Sequence, residues 1–258
     1  MQGEIAAMVL CDGPFNVPIR GHVSGLGKVK HAEFAMASGE MTRPQFTTFL
    51  TDSIEQMAAP LKDGGVLTLA MDWRHCAEIQ TAIEANGLSI LNLCVWNKGS
   101  GGMGSLYRSQ YELFWIAKKG KAKHTNNVEL GKHGRYRTNV WLHPGANSFS
   151  KTRAQDLADH PTVKPVTLLA DAIRDVTLPG EILIDGFMGS GSTILAAERT
   201  KRRCYGVEIE PKYVDVAIRR WSDMTGDEAI LDETGETFAE VTQRRRDEAA
   251  DRGHSKAA

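Results

Sequence analysis

Short apolar runs alternate along the chain with longer segments whose apolar residues recur at helical spacing. The runs predict strands at residues 5–11, 66–71, 90–96, 111–117, 182–184 and 203–207. Between them, the segment that opens at Thr42 and Gln45 combines a capping box with an apolar helical face. Strands that alternate with helices predict an α/β fold, with a mostly parallel sheet covered by helices on both faces.

A glycine-rich turn follows the strand at residues 182–184. The strand ends at Asp185, and a helix is predicted to open near Ser192. No lysine follows the last glycine, which excludes a phosphate loop, and the spacing G-x-x-G-x-G differs from the dinucleotide fingerprint. About twenty residues later the next strand ends at Glu208, an acid suited to ribose hydroxyls. The pattern favours a nucleoside-bearing cofactor without a diphosphate over a purely structural turn.

The first strand also ends at an acid. Asp12 is followed by Gly13, Pro14 and Phe15. An acid at the carboxyl end of a strand, next to a turn with an aromatic side chain, is typical of a ligand site. The alternative is a loop whose phenylalanine packs inward.

Composition adds one local feature to this picture. The 258 residues are 41% hydrophobic and carry a formal net charge of -1, so global charge does not indicate a nucleic-acid binder. Residues 98–153, however, hold eleven Lys or Arg against two acids, with aromatic residues interleaved. This favours a polyanion surface over a solvated loop. The candidate phosphate contacts are Lys119, Lys121, Lys123, Arg135 and Arg137.

The chain is predicted to form one domain over residues 1–242, with a basic region at about 118–160 and a disordered polar tail at 243–258. Residues 229–242 are expected to form an edge strand or hairpin. The four cysteines lack metal-type or disulfide-type spacing, and no leader or apolar run of membrane-spanning length is visible. A cytoplasmic location is therefore expected.

Three stretches, taken together and in order, resemble one family. They are D-G-P-F at Asp12, H-P-T-V-K-P at 160–165 and D-G-F-M-G-S-G-S at Asp185, with G-V-E ending at Glu208. The chain resembles the S-adenosylmethionine-dependent DNA amino-methyltransferases. The order, with the catalytic tetrapeptide first and the cofactor loop last, is similar to their circularly permuted β class. The resemblance extends to about residue 240 and implies a Rossmann-like class I methyltransferase fold.

The resemblance implies S-adenosyl-L-methionine as the cofactor and duplex DNA as the partner. It places the methionine end of the cofactor at Asp185, Phe187, Gly189, Ser190, Gly191 and Ser192, and the ribose at Glu208. It places Thr162, Lys164 and Pro165 near the cofactor carboxylate, with Lys164 as an ion-pair partner; helix initiation is the alternative for Lys164 and Pro165. It also assigns the basic region to target recognition and implies a homodimer, because members of this class often dimerise.

By the same resemblance, Asp12 and the carbonyl of Gly13 accept hydrogen bonds from the exocyclic amine of a flipped-out base, on which Phe15 stacks. The family tetrapeptide is usually Asp-Pro-Pro-Tyr. Gly13 loses the locked φ of the first proline, so slower turnover is expected. An initial Asp favours adenine. Cytosine-amine and RNA methylation, and a degenerate fold that binds without turnover, are the alternatives.

Overall fold

The structure, a computed structural model, describes residues 1–18, 36–102, 106–132, 136–145 and 164–255. Its centre is a seven-stranded sheet. The strands are β1 (Ala6–Cys11), β2 (Leu61–Met71), β3 (Ser89–Asn97), β4 (Tyr111–Lys118), β5 (Val140–Leu142), β6 (Ile182–Asp185) and β7 (Arg203–Gly206). The helices are α1 (Arg43–Ala58), α2 (Cys76–Ala85), α3 (Val166–Val176), α4 (Ser192–Arg199), α5 (Pro211–Thr225) and α6 (Phe238–Ser255).

The strand order is β5-β3-β4-β2-β1-β6-β7. β1 runs parallel to β2 and β6, β6 parallel to β7, and β3 parallel to β5. β4 is antiparallel to both of its neighbours, β2 and β3. Among the described strands, β4 alone therefore runs against the others, and the prediction of a mostly parallel sheet is confirmed.

This topology gathers five charged residues, each at the end of a strand or within two residues after it, at one edge of the sheet, which we call the carboxyl edge. They are Asp12, Asp72, Lys98, Asp185 and Glu208. The opposite edge, where β1, β2 and β6 begin, is called the amino edge. Ligand sites of open α/β sheets lie at the carboxyl edge.

Helices cover both faces of the sheet, as the alternating pattern predicts. Successive residues of β1 point to opposite faces. Val9 packs with buried side chains of α1 and α2, such as Phe46 and Ile83. Leu10 packs with buried side chains of α3 and α4, such as Leu168. The central strands β1, β2 and β6 are thereby screened from water on both faces, which leaves their carboxyl edge for a ligand.

The predicted start of α1 is confirmed at Thr42. The side-chain Oε1 of Gln45 accepts a hydrogen bond from the backbone N of Thr42 at 2.9 Å, as a capping box requires. At the other end of α1, Lys119 Nζ donates to the carbonyl oxygens of Ala58 and Ala59 at 2.7 and 3.0 Å. A lysine in this position satisfies carbonyls that the helix leaves open.

Two expectations for the second half of the chain need correction. The region 118–160 shows no periodicity, yet it contributes β5, which is too short for an alternation pattern to reveal. The tail predicted as disordered is helical over residues 243–255, as part of α6.

A capping box that the sequence interpretation overlooked starts this last helix. Thr237 N donates to Glu240 Oε2 at 2.7 Å, and Glu240 N donates to Thr237 Oγ1 at 3.2 Å. Arg244 pairs with Glu236 and Glu248 on the surface of the helix. Of the hairpin predicted at 229–242, the structure has one antiparallel bridge, between Ile230 and Thr237.

No helix within the described ranges is long and apolar enough to cross a membrane.

The tight packing at Gly191 yields a stability prediction. Its φ is +82°, and an added Cβ would lie 2.7 Å from the Cβ of Ala217 in α5. Gly180 has nearly the same φ, +83°, but nothing within 4 Å of an added Cβ. We expect Gly180→Ala to cost about 1 to 2 kcal/mol of unfolding free energy through backbone strain alone. Gly191→Ala should cost about 1 to 3 kcal/mol more through overpacking.

Urea unfolding of the two variants and the wild type measures both costs. Because the two glycines have nearly the same φ, the difference between the variants reports the contact with Ala217. Equal losses in the two variants would show that α5 does not press on the turn.

Candidate active site

The pairing of β1 with β6 brings the two predicted motifs together at the carboxyl edge. Val9 lies opposite Ile184, so the turn after Asp12 and the turn after Asp185 are neighbours. A Cβ added to Gly13 would lie 3.3 Å from Cδ2 of Phe187. The ring of Phe187 thus fills the space that a side chain at residue 13 would use, and the two motifs are in direct contact.

Asp185 shapes the glycine turn from within. Its side chain is buried; Oδ1 accepts a hydrogen bond from Phe187 N at 3.0 Å, and Oδ2 accepts one from Thr193 Oγ1 at 2.7 Å. Burial raises the pKa of Asp185 to about 6, although both hydrogen bonds oppose the rise. The carboxylate is therefore used to fold the turn onto the start of α4.

The two serines of the turn are held by a residue that the sequence interpretation missed. Arg220 Nη1 of α5 donates to the carbonyl oxygen of Ser190 at 2.6 Å and to its Oγ at 2.8 Å, and reaches Ser192 Oγ at 3.3 Å. Gly189 and Gly191 adopt positive φ values of 54° and 82°, which glycine accommodates. With Ser190 and Ser192 buried against Arg220, the turn presents mainly backbone to a ligand. No sequence signal marked Arg220, since it is one of several polar residues on α5.

Glu208 closes the turn from the neighbouring strand. Its Oε2 accepts a hydrogen bond from Gly189 N at 2.7 Å, and Oε1 accepts one from Glu210 N at 2.8 Å. Each carboxylate oxygen keeps further acceptor capacity. The next residue, Ile209, is 61% exposed. An acid beside an open apolar side chain is suited to a nucleoside, with the hydroxyls of its ribose on the carboxylate and its base on Ile209.

Asp12 takes part in a chain of alternating charges at the same edge, which we call the buried charge chain after the buried Lys164 within it: Asp12, Lys164, Glu112 and Lys98, of which the other three are partly exposed. Lys164 Nζ lies 2.5 Å from Asp12 Oδ2 and 3.1 Å from Glu112 Oε2. Lys98 Nζ lies 2.5 Å from Glu112 Oε1. The side chain of Lys164 is only 5% exposed. The structure thus places Lys164 against the predicted catalytic acid, whereas the sequence interpretation paired it with the cofactor carboxylate.

Sequence reasoning missed Glu112 and Lys98. Lys98 directly follows β3, and Glu112 is the second residue of β4. A residue at the beginning of a strand reaches the carboxyl edge only if that strand is antiparallel. Glu112 could therefore have been predicted only from the direction of β4, and the apolar pattern of the sequence does not show that direction.

The pKa values in the buried charge chain reflect burial and pairing together. Burial raises the pKa of Asp12, the charge of Lys164 opposes this rise, and the net shift is upward. Burial would also raise the pKa of Glu112, but Lys164 and Lys98 together hold it below its ordinary value. Burial alone would lower the pKa of Lys164, but Asp12 and Glu112 raise it well above its ordinary value. Lys164 is therefore a permanent cation in this setting.

The residues after Asp12 are anchored locally. The ammonium of Lys164 lies 5.5 Å from the centre of the Phe15 ring. The buried Asn16 accepts hydrogen bonds from Gly39 N and Met41 N at 3.0 and 3.2 Å, and donates to Met41 O at 2.8 Å. The segment before α1 is thereby tied to the tetrapeptide.

Pro165 begins α3 as its N-terminal cap, with Leu169 N donating to its carbonyl oxygen at 3.3 Å. The alternative interpretation of Pro165, helix initiation, agrees with this placement. Thr162 and Arg135 lie outside the described residues.

The predicted phosphate contacts Lys119, Lys121 and Lys123 follow β4, which ends at the amino edge, away from the Asp12 turn. Lys118, which ends β4, pairs with Val66, whereas Leu113 pairs with Met71 at the carboxyl edge. At about 3.3 Å per residue, the five residues that separate these pairs correspond to roughly 17 Å along β2. Sequence spacing gave no indication of this separation, because it follows from the direction of β4.

Arg137 is held by contacts within the fold. Its Nε lies 2.7 Å from Asp175 Oδ2 of α3, and its guanidinium lies 5.3 Å from the centre of the Trp141 ring. These contacts fix β5 and the loop before it against α3. The grouping of Arg137 and the three lysines into one DNA-binding surface stays a prediction, with Arg137 paired to Asp175 within the fold.

Comparison with known proteins identifies the class to which this fold and site belong. The model of the N6/N4 methyltransferase family, described as DNA methylase, matches residues 6–219, well over half of the chain. The chain therefore belongs to this family of DNA methylases, which confirms the resemblance seen in the three motifs.

Two curated relatives are type II methyltransferases. M2.MboI of Moraxella bovis is 27% identical over 180 residues, which cover 67% of this chain and 64% of the relative. M2.DpnII of Streptococcus pneumoniae is 30% identical over 168 residues, which cover 62% of this chain and 61% of the relative. The chain thus matches a little under two thirds of the length of these relatives.

Solved structures show the fold. The complex of M1.HpyAVI with SAM superposes with a TM-score of 0.63 at 23% identity, covering 85% of this chain and 90% of that one. The cytosine-N4-specific PvuII DNA methyltransferase superposes with a TM-score of 0.65 at 17% identity, and the match covers 84% of this chain and 80% of that one. The class I methyltransferase fold is thereby confirmed, and the permuted motif order stays a prediction.

The raised pKa of Asp185 predicts a specific pH dependence of stability. An acid whose pKa is higher in the folded state stabilises the fold fully below its unfolded value of 3.8, and this contribution is lost as the pH rises through about 6. A shift of two pKa units corresponds to on the order of 2 to 3 kcal/mol of unfolding free energy. Relative to Asp185→Asn, the wild type should therefore lose about this much unfolding free energy between pH 4 and pH 7.

Urea unfolding of both proteins across this pH range provides the measurement. The lost or altered hydrogen bonds of the asparagine variant add an offset that does not depend on pH, so the slope reports the carboxyl group alone. A difference that stays constant with pH would contradict the assignment.

Proposed function

We propose that this chain transfers a methyl group from S-adenosyl-L-methionine to the exocyclic amine of adenine in duplex DNA. The observation that supports this most directly is the contact of the Asp12 turn with the glycine turn through Gly13 and Phe187. An amine acceptor and a nucleoside-type site then lie side by side at one edge of the sheet. Family membership independently supports the same chemistry.

The residues at the glycine turn fit the proposed cofactor. Glu208 is placed to accept the ribose hydroxyls, Ile209 to carry the adenine ring, and the backbone of 186–191 to line the methionine end. Arg220 keeps that backbone in place through Ser190. When bound, the cofactor supplies an electrophilic methyl group on a sulfonium centre.

The chain itself contributes acceptors for the target amine. The lone pair of an exocyclic amine is delocalised into the ring, so the amine is a poor nucleophile. Asp12 and the carbonyl of Gly13 accept its two N–H groups and draw it toward tetrahedral geometry, while Phe15 stacks on the flipped base. The contact with Phe187 restricts the backbone at Gly13, which offsets part of the stiffness that proline would provide.

The choice of adenine rests on the first residue of the tetrapeptide. An Asp at the first position of the tetrapeptide is more typical of family members that modify adenine than of those that modify the cytosine amine. Cytosine-amine and RNA methylation remain the alternatives that the assay below separates.

Target recognition is proposed for the region 118–160, and its described residues 143–145 support this. His143 N and Gly145 N bond to the carbonyl oxygens of Asn97 and Lys98 at 3.3 Å, so the chain after β5 reaches the carboxyl edge. The lysines at the amino edge are too far along the sheet to guide a base to Asp12. The homodimer implied by the resemblance stays a prediction. A cytoplasmic location is proposed because the substrate is DNA and the cysteines are free thiols.

The proposed function is tested by single-turnover methyl transfer from labelled cofactor to mixed-sequence duplex DNA, followed by nucleoside analysis. The wild type should label the N6 amine of adenine. Asp12→Ala should lower the rate by a factor of about 100 or more, because a positioned acceptor is lost. Asp72→Ala is the matched control: Asp72 ends the neighbouring strand but caps the turn at Arg74 N, at 2.8 Å.

Each other outcome points to a different alternative. Label on cytosine would overturn the base assignment, and preferential label on RNA would overturn the substrate. A folded protein that binds cofactor but transfers no methyl group would be a binding module. Equal losses from Asp12→Ala and Asp72→Ala would remove Asp12 from the catalytic role.

A separate prediction concerns Glu208. Glu208→Gln keeps the size of the side chain and removes its charge, so we expect cofactor binding to weaken by about 1.5 to 3 kcal/mol. Glu210→Gln is the control, since the side chain of Glu210 pairs with Lys212 at 3.6 Å on the surface. Calorimetric titration with the cofactor measures both; unchanged affinity in Glu208→Gln would exclude a charge-assisted bond to the ribose.

A further inference from the structure

The buried charge chain contains more than the proposed reaction requires. An acceptor for the target amine needs only the carboxylate of Asp12. The structure adds a buried lysine, a second, largely buried carboxylate and a second, partly exposed lysine, contributed by the segment before α3, by β4 and by the residue after β3. An isolated buried charge is strongly unfavourable, so the buried Lys164 requires the carboxylates on either side of it.

We propose that Lys164 is a positioning residue for Asp12, which it holds as an oriented carboxylate, and that Glu112 and Lys98 hold Lys164 in turn. This inference rests on the proposed function for the role of Asp12 as amine acceptor. It differs from the assignment of Lys164 to the cofactor carboxylate, and the two assignments predict different defects.

The distances support the assignment to Asp12. Lys164 Nζ donates to Asp12 Oδ2 at 2.5 Å, so the two charged groups are in direct hydrogen-bond contact. Because Lys164 occupies Oδ2, we expect the amine to bind at Oδ1. An ammonium between two carboxylates, those of Asp12 and Glu112, already has its charge compensated. A third carboxylate, from a cofactor, would have to displace one of these two.

Glu112 has two opposing effects on Asp12. Its charge repels that of Asp12 and raises the pKa of Asp12, whereas its contact with Lys164 fixes the cation that lowers it. Lys98 offsets the charge of Glu112 from the other side, at 2.5 Å. Removal of the lysine and removal of the glutamate should therefore change the pKa of Asp12 in opposite directions.

The other ionisable groups that face Asp12 do not alter this expectation. Asp185, at the end of β6, and Asp12 interact as like charges, and the buried thiol of Cys11 stays neutral because burial raises its pKa. Both remain in every variant considered below. A shift between variants therefore reports the change within the buried charge chain.

Lys164→Met removes the cation and keeps an unbranched apolar side chain. We expect the acid limb of the pH–rate profile of single-turnover methyl transfer to move upward by about one pH unit or more, because an adjacent opposite charge shifts a carboxyl pKa by that amount. Affinity for S-adenosylmethionine should stay within about twofold on calorimetric titration. Lys164→Arg retains a permanent charge in a different shape. Its acid limb should stay near that of the wild type while its maximal rate falls.

Lys62→Met is the matched control. Lys62 forms a lysine–carboxylate pair of the same length, 2.5 Å to Glu181, at the amino edge of the sheet. It should leave the acid limb and the cofactor affinity unchanged. An equal shift of the limb in Lys62→Met would show a general effect of charge rather than positioning.

A readout that does not depend on turnover is the carbon-13 titration of the Asp12 carboxyl group, assigned by its absence in Asp12→Asn. The apparent pKa should rise in Lys164→Met and fall in Glu112→Gln. If the wild type transfers no methyl group, the proposed function fails, but these opposite shifts still decide whether Lys164 controls Asp12. Should Lys164→Met fail to fold, Lys164→Arg and Glu112→Gln carry the test.

Two results would overturn the inference. One is an unchanged pKa of Asp12 in folded Lys164→Met and Glu112→Gln, the two variants that change the charge beside it. The other is a loss of cofactor affinity of about tenfold or more in Lys164→Met with an unchanged acid limb. That result would show that Lys164 binds the cofactor carboxylate instead.

Discussion

The parallel pairing of β1 with β6 is the constraint on which the site depends. Asp12 directly follows β1, Asp185 is the last residue of β6, and each aspartate is followed by a glycine. Because the strands are neighbours in register, the two turns that follow them meet, and Phe187 packs against Gly13. Neither turn has to be long, since the sheet itself brings the groups together. The proposed transfer of a methyl group requires this proximity, because donor and acceptor must be aligned over a short distance.

The two aspartates are handled differently by their surroundings. Asp185 is satisfied by a backbone N–H and by Thr193, and it serves the architecture of the turn. Asp12 is paired with a buried ammonium whose own charge is shared with Glu112. Burial raises the pKa of both aspartates; at Asp185 hydrogen bonds from neutral groups oppose the rise, whereas at Asp12 the charge of Lys164 opposes it. This contrast separates the structural acid from the acceptor proposed for catalysis.

Residues outside the motifs hold the site in place through hydrogen bonds. Arg220 reaches from α5 to the glycine turn, Asn16 ties the tetrapeptide to the segment before α1, and Lys98 reaches from the end of β3 to Glu112. None of these residues belongs to a recognisable motif. They limit the freedom of a glycine-rich backbone, which would otherwise hold its acceptors loosely.

Local patterns in the sequence were sufficient for the elements and for the family. Apolar runs located six of the seven described strands, the box at Thr42 and Gln45 located the start of α1, and the order of three motifs indicated the DNA methylases. These features depend on neighbours along the chain, so they can be read without knowing the fold. Even here the capping box at Thr237 went unnoticed, and the helix it starts was predicted to be disordered.

The direction of β4 was decided only by the tertiary structure, and it changed the interpretation of the site. An antiparallel β4 brings Glu112 to the carboxyl edge and carries Lys119 to the opposite one. The same arrangement gives Lys164 two carboxylates from distant parts of the chain. Hydrophobic periodicity is the same for a strand running in either direction, so it cannot show which end of a strand meets the site. The motifs were therefore visible in the sequence, whereas the partners of their charged groups were not.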